Sequence, residues 1–263
     1  MTSPSAKPVE TPARSSQPPG PYPAALYAAV HQGQPGDVAF YRRVCAGAHE
    51  VLELGCGFGR VARPLCDDGH SVTGVDLDRA LLEIGRKRAP RAQLLEADFR
   101  ELDLGRRFDR ILCPFNGLYC LTSEADLIET LKRVREHLRP DGLFAFDVYD
   151  ADDFHTDAPD GGDDMPELVA TAEALGTTWD VFEASLWDRS EQRIDAVYTH
   201  VPHDGRPRVT ANIPQRYLLS SQIEPLLAEA GLTLLALHGD FDEQEHDGQS
   251  RLMIGIAKPT PSA

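Results

Sequence analysis

Residues 51–60 read Val-Leu-Glu-Leu-Gly-Cys-Gly-Phe-Gly-Arg, a short apolar run that breaks into three alternating glycines. Glu50–Leu54 has the length and apolarity of a strand buried on both faces, and Gly55, Gly57 and Gly59 fall where a tight turn must pass the chain into a helix. Glycine there permits positive φ and lets backbone approach a ligand closely. The helix that follows, through Val61, Ala62, Leu65 and Cys66, offers free N–H groups at its start. Gly69 stops that helix, and Ser71–Val75 forms a second strand. Asp76 ends it about twenty residues past the turn, where a carboxylate can accept both hydroxyls of a ribose.

The same alternation continues outward. Asp78 caps a helix from Arg79 to about Arg88. Gln93–Glu96, Phe108–Cys113 and Leu143–Val148 read as the third, fourth and fifth strands. A helix over Glu124–Leu138 carries apolar positions at Leu127, Ile128, Leu131, Val134 and Leu138, and Pro140-Asp141-Gly142 turns the chain into the fifth strand. Repeated βα units predict a parallel sheet with helices on both faces. Upstream, Met1–Pro23 is dominated by Pro, Ser, Thr and Ala and is expected to be a disordered tail. A short helix with Leu26, Tyr27 and Val30 follows, then a break at Gly33–Gly36 and a helix from Asp37 to Ala46 with Asp37 as its N-cap. Downstream, Asp150–Pro166 reads as an irregular acidic loop. Trp179–Trp187 and Gln192–Pro202 read as antiparallel strands, Arg208–Tyr217 as a third, and Ser220–Ala230 as a helix. Leu232–His238 and Arg251–Ala257 are joined too closely for a crossover and should pair antiparallel. The expected organisation is a tail (1–23), a binding core with N-terminal lid helices (24–149), an insertion covering the substrate (150–217) and a completion of the core sheet (218–259).

Composition narrows the function classes. The 263 residues are 41% hydrophobic, in the globular range, with a formal net charge of −16. Phosphate grooves need a basic footprint, so nucleic acid is not an expected partner. No apolar run reaches the ~20 residues that span a bilayer, and no secretory signal opens the chain, so neither membrane nor export is expected. Five cysteines form no CxxC pair and no metal-ligand spacing, which predicts no metal and fits a reducing cytoplasm.

Two features separate this glycine turn from a dinucleotide site. Gly59 comes one residue earlier than the third glycine of GxGxxG, whose place Arg60 takes. Asp98 directly follows the third strand, where a carboxylate can accept from an adenine amino group, and Phe99 can cover the ring. In VLELGCGFGR (51–60), VTGVD (72–76), LLEADFREL (94–102), FDRILCPFNGLYCL (108–121) and LKRVREHLRPDGLFAFDVY (131–149), and more loosely in RLMIGIAKP (251–259), the chain resembles the class I S-adenosylmethionine-dependent methyltransferases. The small-molecule N- and O-methyltransferases of bacterial metabolism look most similar, since they too carry a strand insertion after the fifth strand. The resemblance implies a Rossmann-like α/β fold whose seven-stranded sheet has the order 3-2-1-4-5-7-6, its last strand antiparallel. It implies S-adenosylmethionine as cofactor. Glu53, Gly55 and Gly57 would line the methionine portion, Asp76 with Leu77 the ribose side and Asp98 with Phe99 the adenine. The backbone around Asn116 and the side chain of Leu118 would close the pocket.

The reaction so implied is in-line transfer of a methyl group to a nitrogen or oxygen of a small molecule, with the cofactor carrying the difficult chemistry. A protein base is optional for an amine and useful for an alcohol or phenol. Candidate substrate contacts are Tyr22, Tyr27 and His31 as an N-terminal lid, Asn116 and Tyr119 after the fourth strand, and His155, Trp179, Trp187, His200, Arg216 and Tyr217 in the insertion. Tyr27, Tyr119 and His200 are the catalytic candidates. A nicotinamide-dependent oxidoreductase shares the glycine turn and Asp76 but leaves Asp98 and the terminal strand pair unexplained. A module that binds the cofactor without catalysis also stays open, as do monomer and homodimer.

Overall fold

A computed structural model describes residues 20–157, 161–163 and 165–261. The expectation for residues 1–19 lies outside them. Two sheets organise the chain. The larger contains β1 (Glu50–Leu54), β2 (Ser71–Asp76), β3 (Gln93–Glu96), β4 (Phe108–Cys113), β5 (Leu138–Tyr149), β11 (Leu232–His238) and β12 (Leu252–Pro259), in the order β3-β2-β1-β4-β5-β12-β11. β1 to β5 run parallel, whereas β12 is antiparallel to both neighbours, β5 and β11. This is the expected 3-2-1-4-5-7-6 arrangement, with β11 and β12 as its sixth and seventh strands.

Period-two burial on both faces explains the apolar runs. From β1, Leu52 and Leu54 point to the side covered by α5 (Glu124–His137) and α7 (Ser220–Glu229), where they join Leu127, Leu131, Ile223 and Leu227. Val51 points to the opposite side, with Phe40 and Tyr41 from α2 (Asp37–Val44) and Leu65 from α3 (Ala62–Asp67). Asp78 caps α4 (Arg79–Arg88) as expected, accepting from the N–H groups of Ala80 and Leu81. Asp37, however, is the first residue of its helix. Gly36, in the left-handed region, takes the cap position, and the Asp37 carboxylate instead pairs with Arg60 at 2.7 Å.

The smaller sheet has the order β10-β9-β8-β6, with β7 also paired to β8. Its members are β6 (Gly161–Gly162), β7 (Glu167–Ala174), β8 (Thr177–Asp188), β9 (Arg193–Pro202) and β10 (Val209–Arg216). The acidic stretch expected to be irregular contains α6 (Asp152–Asp157), and β7 lies in a segment to which no element was assigned. Gly20 to Pro23 do not belong to a disordered tail: Gly20 donates its N–H to Thr210 O at 3.2 Å, which ties the chain to β10 ahead of α1 (Ala24–Val30).

Candidate functional site

A cavity of about 390 Å³ opens at the C-terminal edge of the parallel strands, within the range of small-ligand sites. Its floor is built by residues that follow successive strands: Gly55 to Phe58 after β1, Asp76 to Asp78 from β2, Asp98 to Arg100 after β3, and Pro114, Phe115 and Gly117 after β4. Because β1 to β4 are parallel, their ends share one edge, and that register brings these residues together.

The glycine turn and Asp76 form one hydrogen-bonded unit. Gly57, at φ 48°, donates its N–H to Asp76 Oδ2 at 2.7 Å, and Asp78 N–H donates to Oδ1 at 2.8 Å. Gly59 serves packing: a Cβ there would lie 3.2 Å from Ala89 Cβ at the end of α4. Burial raises the Asp76 pKa, and the N–H bonds oppose it.

Glu53 lies deeper, 3% exposed and on the cavity lining. It lies near the start of α3, where the Ala62 N–H favours its charged form, while its Oε2 is buried without a partner. Burial pushes its carboxyl up to about 8, with the Arg60 cation opposing. Leu77 and Phe99 also line the cavity, as does Asp98. The Asp98 carboxylate grips Arg100, whose Nη2 lies 2.5 Å from Oδ2, and caps the short 3-10 helix Phe99–Glu101. Asp98 thus starts a short helix and lines the cavity at once.

The segment after β4 bends sharply, with Phe115 and Asn116 both at positive φ (54° and 61°). Non-glycine residues hold that conformation only when their surroundings over-determine it. Here Asp147, near the end of β5, accepts from Phe115 N–H at 2.9 Å and from the Tyr41 hydroxyl, and Asn116 Oδ1 accepts from Tyr149 N–H at 2.8 Å. Asn116 therefore fastens the loop to β5, while its neighbours Phe115 and Gly117 face the cavity. Leu118 departs from expectation. The segment Gly117–Cys120 is a 3-10 helix, whose three residues per turn put Gly117 and Cys120 on one face, toward the cavity. Leu118 and Tyr119 consequently turn into the core. Tyr119 is fully buried and donates its hydroxyl to Tyr149 O at 2.7 Å, so it has no access to a substrate.

The opposite wall is aromatic. Tyr22, Tyr27 and His31 line it together with Phe115 and Ile213 of β10. Tyr27 stands edge-on to Tyr22, with ring centroids 5.3 Å apart. His200 stays outside the cavity, wholly buried behind Tyr22, with its Nε2 2.9 Å from the Tyr22 hydroxyl. Burial pushes both His31 and His200 down to about 4, His31 also through its proximity to His200. Burial likewise raises the phenols of Tyr22 and Tyr27. His155, Trp179, Trp187, Arg216 and Tyr217 are not among the lining residues. His155 Nδ1 meets the Tyr217 hydroxyl at 2.8 Å, and Arg216 pairs with Glu124 at 3.0 Å. Sequence reasoning missed Phe115, Arg60, Arg100, Cys120 and Ile213. The strand-end rule that found Asp76 and Asp98 also points to Phe115, two residues beyond β4.

Among the described residues no helix is long and apolar enough to cross a membrane, and no group of three or more potential ligands could hold a metal ion. Residues 51–142 match the methyltransferase domain family. A dTDP-3-amino-3,6-dideoxy-alpha-D-glucopyranose N,N-dimethyltransferase of Streptomyces fradiae is 31% identical over 235 residues, covering 82% of this chain and 86% of that protein. The CcbJ methyltransferase of Streptomyces caelestis superposes with a TM-score of 0.74 at 26% identity, covering 94% of each chain. An amino pentose methyltransferase from Micromonospora echinaspora, solved with S-adenosylmethionine bound, shares the fold at a TM-score of 0.65 and 21% identity, over 87% of this chain and 93% of its own. The nicotinamide-dependent alternative falls away, and the chain belongs to the S-adenosylmethionine-dependent methyltransferases.

Proposed function

We propose that this enzyme methylates the nitrogen of a small amine, of the amino-deoxy-sugar kind named for its Streptomyces fradiae relative. The residues present suit the cofactor. Glu53 lines the cavity and holds a buried carboxylate oxygen, Oε2, without a partner, a group whose charge a cationic amino acid group would offset. Gly55 and Gly57 would flank the methionine side with Glu53, Asp76 with Leu77 the ribose side, and Asp98 with Phe99 the adenine side. Residues 24–149 form the binding core with its lid, 150–217 the cover and 218–259 the completion of the sheet. The reading implies a soluble enzyme of the reducing cytoplasm that binds no nucleic acid and works as a monomer or homodimer.

The preference for nitrogen rests on the lining: His31, the histidine among the lining residues, has its Nε2 occupied by the Tyr22 hydroxyl at 3.1 Å, and burial leaves it and His200 only weakly basic. With His31 and His200 held near 4, taking a proton from an amine of pKa ~8 costs on the order of 5 kcal/mol, and from an alcohol far more. An amine attacks without prior deprotonation by the protein. Bound S-adenosylmethionine supplies an electrophilic methyl on a sulfonium. An acceptor nitrogen would take that methyl with its lone pair, leaving the C–S electron pair on sulfur, and its surplus proton would leave to solvent. The protein excludes water through Tyr22, Tyr27 and Phe115 and fixes the approach. His200 is accordingly neither base nor substrate contact, and of the three catalytic candidates Tyr27 alone faces the cavity. The test is incubation with S-adenosylmethionine and either dTDP-3-amino-3,6-dideoxy-α-D-glucopyranose or its 3-hydroxy counterpart. Mass spectrometry should find added methyl groups on the amine alone; methylation of only the hydroxy compound would reverse the assignment.

A further inference from the structure

The Tyr22 hydroxyl engages two histidines at once. His31 Nε2 lies 3.1 Å from it and His200 Nε2 2.9 Å. A phenol owns one hydrogen, so it can donate to at most one ring and must accept from the other. His200 settles which. Its Nδ1 is buried and meets no partner. A bare Nδ1 is an unused acceptor, whereas a protonated one is a donor buried without an acceptor, the costlier state. His200 therefore carries its proton on Nε2 and donates to Tyr22. With His200 donating, the Tyr22 hydrogen is free for His31 Nε2, and His31 then carries its proton on Nδ1. Burial keeps both rings neutral, as this one-directional chain requires.

Tyr22 lines the cavity, and its oxygen keeps one acceptor position uncommitted by this wiring. We propose that Tyr22 orients the acceptor by taking one N–H hydrogen of its amine, and that His200, which never reaches the cavity, is a positioning residue that fixes the direction of the Tyr22 hydroxyl. This rests on the reading of the enzyme as an amine methyltransferase. An amine that gives one N–H to a fixed oxygen can no longer turn freely about its C–N bond, so a single contact selects the direction of its lone pair. A tertiary amine has no N–H to give, which stops the reaction at the dimethylated product.

Two measurements on the full chain test this. Long-range ¹⁵N NMR of histidine-labelled, ligand-free protein at pH 7 should show His200 protonated on Nε2 only and His31 on Nδ1 only; a proton on His200 Nδ1, or a doubly protonated ring, overturns the wiring. In kinetics with dTDP-3-amino-3,6-dideoxy-α-D-glucopyranose, Tyr22→Phe and His200→Leu should each lower kcat about tenfold or more and leave the Kd for S-adenosylmethionine unchanged. His200→Gln should recover most of the rate, because its amide N–H can still donate to Tyr22. Product from the wild type should contain no trimethylammonium. A Tyr22→Phe enzyme that binds cofactor and turns over at the wild-type rate sinks this proposal alone. A wild type that methylates no amine sinks the amine reading as well. Should His200→Leu not fold, the wild-type tautomers and Tyr22→Phe decide.

Discussion

Glu53 should make cofactor binding depend steeply on pH. The residue is 3% exposed and lines the cavity, burial raises its carboxyl to about 8, and one of its oxygens is buried without a partner. If a cationic amino acid group binds against that oxygen, the bound state holds Glu53 ionised and the free protein must first release a proton. The observed Kd then carries a factor of 1 + 10^(pKa − pH), which is about a hundred at pH 6, about ten at pH 7 and about two at pH 8. Affinity for S-adenosylmethionine should therefore rise roughly fiftyfold from pH 6 to pH 8, a change of about 2.3 kcal/mol. Titration calorimetry in buffers of different ionisation enthalpy should find nearly one proton released per cofactor bound at pH 7. Glu53→Gln should flatten the profile and bind more weakly than wild type at pH 8, which separates Glu53 from Asp76, also raised by burial. A flat wild-type profile, or a slope that survives in Glu53→Gln, would refute the assignment of this carboxylate to the methionine end.

Three further outcomes are expected. Asp76→Ala removes the acceptor of both Gly57 and Asp78 N–H groups and, on the proposed reading, the ribose contact, so calorimetry should show cofactor binding weakened by ~1.5–3 kcal/mol for each charge-assisted bond lost; unchanged affinity would put the ribose elsewhere. Asp147→Ala strands the Tyr41 hydroxyl and Phe115 N–H and frees a loop held at positive φ, and urea unfolding should show ~1–3 kcal/mol lost per buried group. The two buried histidines have folded pKa values below the ordinary 6.5, so the unfolded chain binds more protons between about 4 and 6.5. Their contribution is complete above pH 6.5 and is lost as pH falls toward 4. Glu53 acts in the opposite sense, its folded pKa lying above the ordinary value, so the comparison must be between wild type and His31→Phe at pH 7 and pH 5, where the wild type should lose more stability on acidification.

The parallel core was legible because strands buried on both faces have to be apolar runs, and because ligands of such sheets gather where strands end. Asp76 and Asp98 needed no more than that. Leu118 and Tyr119 were misplaced by a local matter: a 3-10 turn sends positions i and i+3 to the same side, so Gly117 and Cys120 took the cavity face that a different turn would have given their neighbours. β7 escaped because Glu, Leu and Ala favour helix in isolation, and pairing with β8 overrides that preference. His200 is a case of a different kind. Strand alternation puts Tyr198 and His200 on one face, yet which face meets the site depends on Tyr22, 178 residues earlier in the chain.

That separation in sequence has a functional counterpart. The wall proposed for the cofactor is built from turns that follow four adjacent parallel strands and is held by bonds within the core, such as Gly57 to Asp76. The wall proposed for the acceptor joins the N-terminal segment to β10, and among the lining residues Ile213 is the one drawn from 150–217. Specificity for the acceptor should then change without disturbing cofactor affinity. Ile213→Ala removes apolar contact on the acceptor side alone; one methylene in such a pocket is worth ~1–3 kcal/mol, so KM for the amine should rise at least about tenfold. The Kd for S-adenosylmethionine should stay within about twofold, since Ile213 stands on the acceptor wall and contributes nothing to the glycine turn. Steady-state kinetics and calorimetry on the same preparation give both quantities. A parallel loss of the two would mean that β10 supports the cofactor turn itself, and that the two walls of the cavity act as one unit.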